Sequence, residues 1–280
     1  MIIDAHQHFW KRDLPFDYDW LKAPQHAAIN RDFLPEDLQP LLASRNIDYS
    51  VFVQTQHNLE EAEWVLELAE QFTFLAGVVG WVDLASDHCE RDVERLAAMD
   101  KFVGIRHITQ DEPDDDFIVR PNILNGLKVL EKYRLPFDLL FFAKHLKHAP
   151  SVAAHVPELP LVIDHLSKAN IKGQEYSQWA KELEAAAAHE NVHCKLSGMI
   201  TEADWGNWKP ADLKPFVEKA IESFGPERCM YGSDWPVCEL AGSYQQAFDA
   251  LAEIIGPLSE AEKEQIYCST AVKFYGLNVG

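Results

Sequence analysis

The sequence is poor in the features that define several common classes of protein. Its five cysteines are widely spaced and include no Cys-x-x-Cys pair, which argues against a disulfide framework and a structural zinc site. Basic side chains are scarce, with 25 Lys and Arg against 45 Asp and Glu, giving a formal net charge of −20. This excess repels phosphate groups, so we expect neither nucleic acid nor an anionic membrane as a partner.

Long apolar runs are absent as well. No run approaches the length of a membrane-spanning helix, and the first residues lack the basic and apolar regions of a secretory signal. No Gly-x-Gly-x-x-Gly follows any predicted strand, which argues against a dinucleotide site. We therefore expect a cytoplasmic protein, and the sequence is compatible with a homo-oligomer.

The sequence does contain a regular alternation of strand and helix patterns. A first strand begins at Met1, and seven more are predicted at residues 49–55, 74–84, 102–108, 136–142, 161–166, 192–197 and 229–234. The helices that follow them are predicted at residues 35–45, 59–71, 90–99, 122–132, 143–155, 176–189, 211–224 and 243–255. A last helix, 259–275, has Ser259 as a predicted N-cap and Glu262 completing a capping box.

Eight strand–helix units without a second linker or repeat predict an α/β fold, a (β/α)8 TIM barrel forming a single domain over residues 1–280. The alternative is an open, doubly wound sheet. Eight alternations and this chain length fit a closed barrel better, and 47% hydrophobic residues can fill one large core.

The first strand carries an Asp-x-His-x-His pattern. Asp4, His6 and His8 alternate, so their side chains leave one face of the strand. Two neutral imidazoles on one face supply half of a tetrahedral ligand set for a zinc-like ion. Elsewhere such a pair is more often two surface histidines, and the other strands decide between these readings.

Nearly every other predicted strand also ends in polar residues. Such residues converge on the mouth of a barrel, where its chemistry lies, although any one of them could instead cap the next helix. The residues at strand ends are His6, His8, Gln54, Asp83, Arg106, His107, Asp138, Asp164, His165, Lys195 and Asp234. Asp234 is the strongest candidate, because a carboxylate there could act both as a metal ligand and as the base that takes a proton from water.

Residues 9–34 are rich in aromatic side chains and show no clear periodicity. Such a long connection is either a lid over the site or an Ω-loop packed on the core, and both readings fit the sequence. Trp10, Trp20 and Trp235 could stack on a substrate ring or pack within this segment.

Seven segments together resemble the amidohydrolase superfamily, and within it the L-fuconolactonase-like branch of sugar-lactone and dicarboxylate-lactone hydrolases. They are DAHQHFW (4–10), VQT (53–55), GWVDL (80–84), VGIRH (103–107), IDHL (163–166), CKLSG (194–198) and YGSDWPV (231–237). The resemblance spans essentially the whole chain. It implies a distorted TIM barrel that hydrolyses a lactone ring.

The resemblance also implies a metal site. His6 and His8 match the first-strand histidines of the superfamily, His165 a later one, and Asp234 the aspartate of the last strand. These four would hold one divalent ion, zinc or manganese, although members of this branch differ in whether they need a metal. Asp138 stands where many members have a histidine, and only Lys195 could be a bridging lysine, so we expect one ion or none and no bridged pair.

The predicted function is hydrolysis of a small sugar-acid lactone, of the L-fuconolactone or L-rhamnonolactone type. Asp234 activates water, assisted by His165, and the developing oxyanion is received by the ion, Arg106, His107 or Lys195. The residues predicted to contact the substrate are Gln54, Asp83, Asp138, Asp164, Lys195, Trp20 and Trp235. The alternatives are a dicarboxylate lactonase, a non-oxidative decarboxylase of a related branch, and a catalytically silent binding protein.

Overall fold

Eight parallel strands form one sheet in the order β1 to β8 in a computed structural model that describes all 280 residues. The strands are β1 (Ile3–Gln7), β2 (Tyr49–Val53), β3 (Leu75–Gly80), β4 (Phe102–His107), β5 (Phe137–Leu139), β6 (Leu161–Ile163), β7 (Val192–Leu196) and β8 (Cys229–Tyr231). Each strand pairs with its neighbour in the chain, which confirms the predicted barrel.

A helix follows each strand, as the alternation predicts. The helices are α1 (Pro35–Ser44), α2 (Leu59–Gln71), α3 (Cys89–Ala97), α4 (Pro121–Tyr133), α5 (Ala149–His155), α6 (Ser177–Ala187), α7 (Pro210–Phe224), α8 (Tyr244–Ile254), α9 (Glu260–Glu264) and α10 (Thr270–Tyr275). The helix expected at residues 143–155 begins with a 3₁₀ turn, Ala143–His148. A π-turn at Gln265–Ser269 separates α9 from α10, and the predicted Ser259–Glu262 capping box is present.

The barrel closes just beyond the last strand. The amide of Asp234 donates to the carbonyl of His6 (2.9 Å), and that of His8 donates to the carbonyl of Trp235 (2.7 Å). Below these bonds, buried Asp4 accepts hydrogen bonds from the amide of Ser233 (2.8 Å) and from the hydroxyl of Tyr244 (3.1 Å). Closure therefore places the predicted base beside the predicted histidine pair.

The interior has two apolar layers. A large cluster lies between the sheet and the helices, and a smaller one fills the barrel, where Val51, Val103 and Met230 pack together. The smaller cluster includes Phe274 and Tyr275 of α10, so the last helix closes the bottom of the barrel. The opposite mouth is left for the site.

Several strands are shorter than the sequence predicts, because the chain leaves the sheet early at their carboxyl ends. Strand β6 ends at Ile163, and the next residues form a left-handed turn in which His165, Leu166, Ser167 and Lys168 have φ between 47° and 56°. Strand β8 ends at Tyr231, and Asp234 has φ 58°. Strand β5 ends at Leu139. His165 and Asp234 therefore lie in loops beyond the strands on which we expected them.

Residues 9–34 combine the two roles that the sequence left open. Trp10 and Phe33 are buried and joined by a backbone bridge, so the ends of the segment pack on the core. Its 3₁₀ turns, Asp19–Lys22 and Pro24–Ile29, carry residues that line the cavity at the mouth. No helix has both the length and the apolar character needed to cross a membrane.

Candidate active site

A cavity of about 550 Å³ opens at the mouth of the barrel. Its polar floor includes His8, Arg106, His165 and Asp234, which follow or end four different strands. The other side chains that line it are Trp20, Ala23, Gln25, His26, Thr55, Ile108, Gln110, Asp111, Leu140, Phe142, Lys168 and Val237. A cavity of this size, with a polar floor and a wall of both apolar and polar side chains, suits a small polar organic molecule.

Three histidines converge on one carboxylate oxygen at the floor. Oδ1 of Asp234 lies 3.3 Å from Nε2 of His8, 3.7 Å from Nε2 of His165 and 3.9 Å from Nε2 of His6. All four side chains are almost completely buried. The structure thus brings together the four residues predicted as metal ligands.

Neighbouring groups fix the orientation of two of these rings. Nδ1 of His8 lies 2.6 Å from the carbonyl of Val53, which can only accept, so Nδ1 carries the proton. Nδ1 of His165 lies 2.8 Å from the hydroxyl of Ser197. Both rings then present Nε2 to Asp234.

The loop after β7 is shaped to the ring of His165. Gly198 has φ 61°, and a Cβ atom there would lie 2.7 Å from the ring of His165. Similarly, a Cβ at Gly232 would lie 2.6 Å from Cβ of His6. Glycine at these positions allows the backbone to approach the histidines closely.

A buried network of charges supports the floor from below. Nζ of Lys195 lies 2.6 Å from Asp138, 3.1 Å from Asp164 and 3.0 Å from Nδ1 of His6. Arg106 lies 3.1 Å from Asp164 and 3.2 Å from Nε2 of His6. His6 is therefore held between two cations that are themselves neutralised by carboxylates.

Burial and charge set the protonation of these groups. Burial lowers the pKa of His8, takes that of His165 to about 4, and takes that of His6 well below its usual range. Burial alone would raise the pKa of Asp234, but His165 and His8 more than offset it, so Asp234 is ionised.

The two carboxyls below the floor differ from each other. Burial raises the pKa of Asp138 to about 6, against the pull of Lys195. For Asp164, burial is outweighed by Lys195, His6 and Arg106, which hold its pKa well below the usual range.

The donor set fits a divalent cation. Asp234 faces an unprotonated Nε2 of His8 at 3.3 Å, and two acceptors this close require a shared proton or a cation between them. The low pKa of His8 disfavours the extra proton. Ligands about 2.0–2.1 Å from a tetrahedral ion lie roughly 3.3–3.5 Å apart, close to the separations observed. Ligand atoms of His6, His165 and Asp234 all lie within 4.8 Å of one another.

The structure places His107 away from the cavity. Trp81 donates to its Nδ1 (3.1 Å), Glu112 lies 2.8 Å from its Nε2, and its ring stacks on His57 and Phe117. Nε2 of His57 accepts from the amide of Ile108 (3.1 Å), so this second group of histidines has its lone pairs engaged by hydrogen-bond donors.

Other predicted contact residues also lie apart from the substrate space. Asp83 is exposed and caps the turn at Ala85 (3.0 Å). Trp235 is buried against Phe33 and donates to Glu239 (2.9 Å).

The remaining predicted residues divide between the floor and the wall. Gln54 is buried and donates to the carbonyl of Arg106 (3.1 Å), and Asp138, Asp164 and Lys195 are fully buried beneath the floor. Trp20 lines the cavity.

Sequence reasoning missed three residues. Ser197 orients His165, and the hydroxyl of Tyr275 donates to both oxygens of Asp138 (2.8 and 2.9 Å). Lys168 lines the cavity. Ser197 is the last residue of the predicted strand 192–197, and a polar residue at a strand end was a usable signal. Tyr275 and Lys168 had none.

Fold and site together are those of a barrel hydrolase with a histidine–aspartate centre. The sequence model of the amidohydrolase family matches residues 3–277, so the chain belongs to this family, as predicted.

The chain is similar in sequence to three known proteins over most of their length. The chain is 41% identical to L-fucono-1,5-lactonase from Burkholderia ambifaria over 246 residues, covering 86% of this chain and 82% of the relative. It is 35% identical to L-fucono-1,5-lactonase from Burkholderia multivorans, covering 98% and 96%. It superposes with TM-score 0.92 on the crystal structure of an amidohydrolase from Burkholderia multivorans with bound zinc, at 34% identity, covering 99% of this chain and 100% of that one.

Proposed function

We propose that the protein is a lactonase that hydrolyses neutral sugar-acid lactones of the L-fucono-1,5-lactone type. The convergence of three histidines on one ionised aspartate at the floor of a small cavity carries this proposal. Two L-fucono-1,5-lactonases, 41% and 35% identical to the chain, support the substrate class.

Asp234 acts as the base and then as the acid. Its carboxylate takes a proton from the water that attacks the ring carbonyl carbon, and the carbonyl π electrons move to oxygen. When the tetrahedral intermediate collapses, the bond from carbon to the ring oxygen breaks and Asp234 returns the proton to that oxygen. The hydroxy acid then ionises and releases one proton. Such a group contributes about 10²–10⁴ in rate.

We also propose that His6, His8, His165 and Asp234 hold one divalent ion, for which Nε2 of His6 gives up its contact with Arg106. An ion bound there supplies Lewis-acid polarisation of oxygen atoms. A bridged pair is not expected, because Lys195 is fully buried and paired with Asp138 at 2.6 Å. Elemental analysis should give at most one equivalent of zinc or manganese per chain, and chelation should lower activity if the ion is required. Two equivalents would contradict a single site.

The cavity favours neutral lactones over dicarboxylate ones. Arg106 and Lys168 are the only Lys or Arg side chains that line it, and Arg106 is already paired with Asp164. Of two free carboxylates on a substrate, at least one would therefore lack a cationic partner.

A titration at constant pH tests the proposal against its alternatives. L-Fucono-1,5-lactone, L-rhamnono-γ-lactone, a pyrone dicarboxylate lactone and a hydroxybenzoate are supplied in turn, with uncatalysed hydrolysis subtracted. Lactone hydrolysis releases one proton per turnover, decarboxylation consumes one, and a binding protein does neither. We expect proton release with the neutral sugar lactones. Turnover of dicarboxylate lactones alone, proton uptake, or no turnover would contradict the proposal.

The proposal also covers domain organisation, location and partners. We propose that residues 1–280 act as one domain in the cytoplasm. With a net charge of −20, we expect no nucleic-acid or membrane partner. Self-association into a homo-oligomer is compatible with this proposal.

A further inference from the structure

Lys168 is the one basic side chain lining the cavity that has no fixed partner. It forms none of the protein's salt bridges, and its Nζ lies 5.6 Å from the ring centroid of Phe142, within the range of a cation–π contact. Its positive charge acts to lower the pKa of Asp234 and of Glu202, yet neither carboxylate forms a salt bridge with it. The side chain is partly exposed, so its three donors remain available.

Lys168 reaches the cavity lining because the backbone before it adopts an energetically unfavourable left-handed conformation. His165, Leu166, Ser167 and Lys168 are four successive left-handed residues without a glycine, and the amide of Lys168 donates to the carbonyl of His165 (2.8 Å). Each non-glycine residue in this region costs about 1–2 kcal/mol. The turn brings both of its end residues, His165 and Lys168, to the cavity lining. Strain of this kind is concentrated at functional sites.

The other cations near the floor are already engaged. Lys195 is fully buried against Asp138 and Asp164. Arg106 directs one terminal nitrogen to Asp164 and His6 and the other to the carbonyl of Gln54. Neither can turn toward a new negative charge without losing these contacts.

Opening a lactone creates negative charge in two places. The carbonyl oxygen becomes an oxyanion in the tetrahedral intermediate, and the product carries a carboxylate. Asp234 holds its proton for the leaving ring oxygen at the first stage and is negative again at the second, so it is suited to neither role. A cation that is free before the substrate arrives is suited to both.

We propose that Lys168 is a catalytic residue that donates a hydrogen bond to the lactone carbonyl oxygen as it becomes negative and then pairs with the product carboxylate. No proton leaves Lys168 in either step. This inference rests on the proposed lactonase function. It adds a residue that belongs to neither the base nor the predicted ligand set.

The test compares Lys168→Met with Lys168→Arg and with Lys172→Met. Lys172 lies on the same loop but is exposed and paired with Asp204 (3.1 Å), outside the cavity. With L-fucono-1,5-lactone, Lys168→Met should lower kcat by about 10²-fold, the usual effect of losing one oxyanion donor. Lys168→Arg should recover at least about tenfold of that loss, because a cationic donor returns. Lys172→Met should match the wild type.

A binding measurement keeps the test independent of turnover. Calorimetry with L-fuconate, the hydrolysis product, should show affinity at least about threefold weaker in Lys168→Met than in the wild type, as for a partly exposed ion pair. A thermal melt establishes that each variant is folded. Wild-type kcat in Lys168→Met would overturn the inference. If the wild type hydrolyses no lactone, the proposed function fails, and equal L-fuconate affinities or no binding to the wild type would overturn the role of Lys168 as well.

Discussion

At the scale of single residues, the site depends on which nitrogen of each histidine is free. The carbonyl of Val53 holds Nδ1 of His8, and the hydroxyl of Ser197 holds Nδ1 of His165. Each ring therefore directs Nε2 toward Asp234, which also borders the cavity and is the only anion among these three side chains.

Replacing the carboxylate should remove activity without unfolding the protein. Asp234→Asn keeps the shape of the side chain, and asparagine tolerates the φ of 58° at this position well. We expect kcat for L-fucono-1,5-lactone to fall by at least about 10²-fold, with an unchanged melting temperature. Asp87→Asn, at an exposed position, is the matched control. Near-wild-type turnover by Asp234→Asn would show that another group is the base.

The pH profile should show that the site works with unprotonated groups. Burial takes the pKa of His165 to about 4, and His165 and His8 keep the pKa of Asp234 below its usual value. Both groups are therefore in their working form at neutral pH, and the working form of His165 is lost only as the pH falls through about 4. We expect kcat/KM to be flat between about pH 5 and 7.5. An acid limb centred near pH 6.5 would instead indicate a histidine of ordinary pKa.

At the scale of elements, the gathering of polar residues at the carboxyl end of the barrel was predictable, and their exact positions were not. In a parallel barrel every strand points the same way, so polar residues at strand ends had to gather at one mouth. How far each lies from the mouth depends on twist and on the loop that follows. Lys195 therefore lies beneath the floor, whereas His107 turns to the stack with His57 and Phe117.

The left-handed turn after β6 shows why some features of the backbone could not be predicted from the sequence. Positive φ is usually marked by glycine or asparagine, but the turn reads His-Leu-Ser-Lys. Only tertiary contacts, such as the hydrogen bond between His165 and Ser197, account for it. A strand pattern was therefore extended through residues that leave the sheet.

The contact between the loops after β6 and β7 should matter for turnover more than for stability. Ser197→Ala frees Nδ1 of His165, so the ring can rotate away from Asp234. We expect kcat/KM to fall by about 10- to 100-fold, as when partners of metal- or substrate-binding histidines are removed. Ser50→Ala, which removes an equally buried hydroxyl bonded to Gln7, should leave turnover unchanged. Equal effects of the two substitutions on kcat/KM would argue against an orienting role for Ser197.

At the scale of the whole molecule, the two ends of the barrel serve different purposes. The mouth holds the cavity, while α10 closes the bottom and reaches upward through Tyr275 to Asp138. This contact joins residues 137 positions apart, and no local pattern could have predicted it. It connects the last helix to the charges that support His6.

Removing that contact should weaken the fold. In Tyr275→Phe, Oδ1 of Asp138 loses its hydrogen-bond donor in a fully buried setting. We expect the free energy of unfolding, measured with urea, to fall by about 1–3 kcal/mol. Tyr133→Phe, on the partly exposed face of α4, should change it by less than about 0.5 kcal/mol. A loss no larger than that of the control would mean that the hydroxyl is not needed to satisfy Asp138.

Closure of the barrel beside Asp234, the proposed base, has a consequence for how the enzyme matures. His8 precedes Asp234 by 226 residues. At about 5–20 residues per second, a nascent chain would carry the two histidines for on the order of 10–50 s before the aspartate is even synthesised. A partly formed sheet that lacks either the first or the last strand therefore lacks the site, because the site lies where these two strands meet. Recovery of turnover during refolding should therefore be the final event, lagging behind the return of helical circular dichroism.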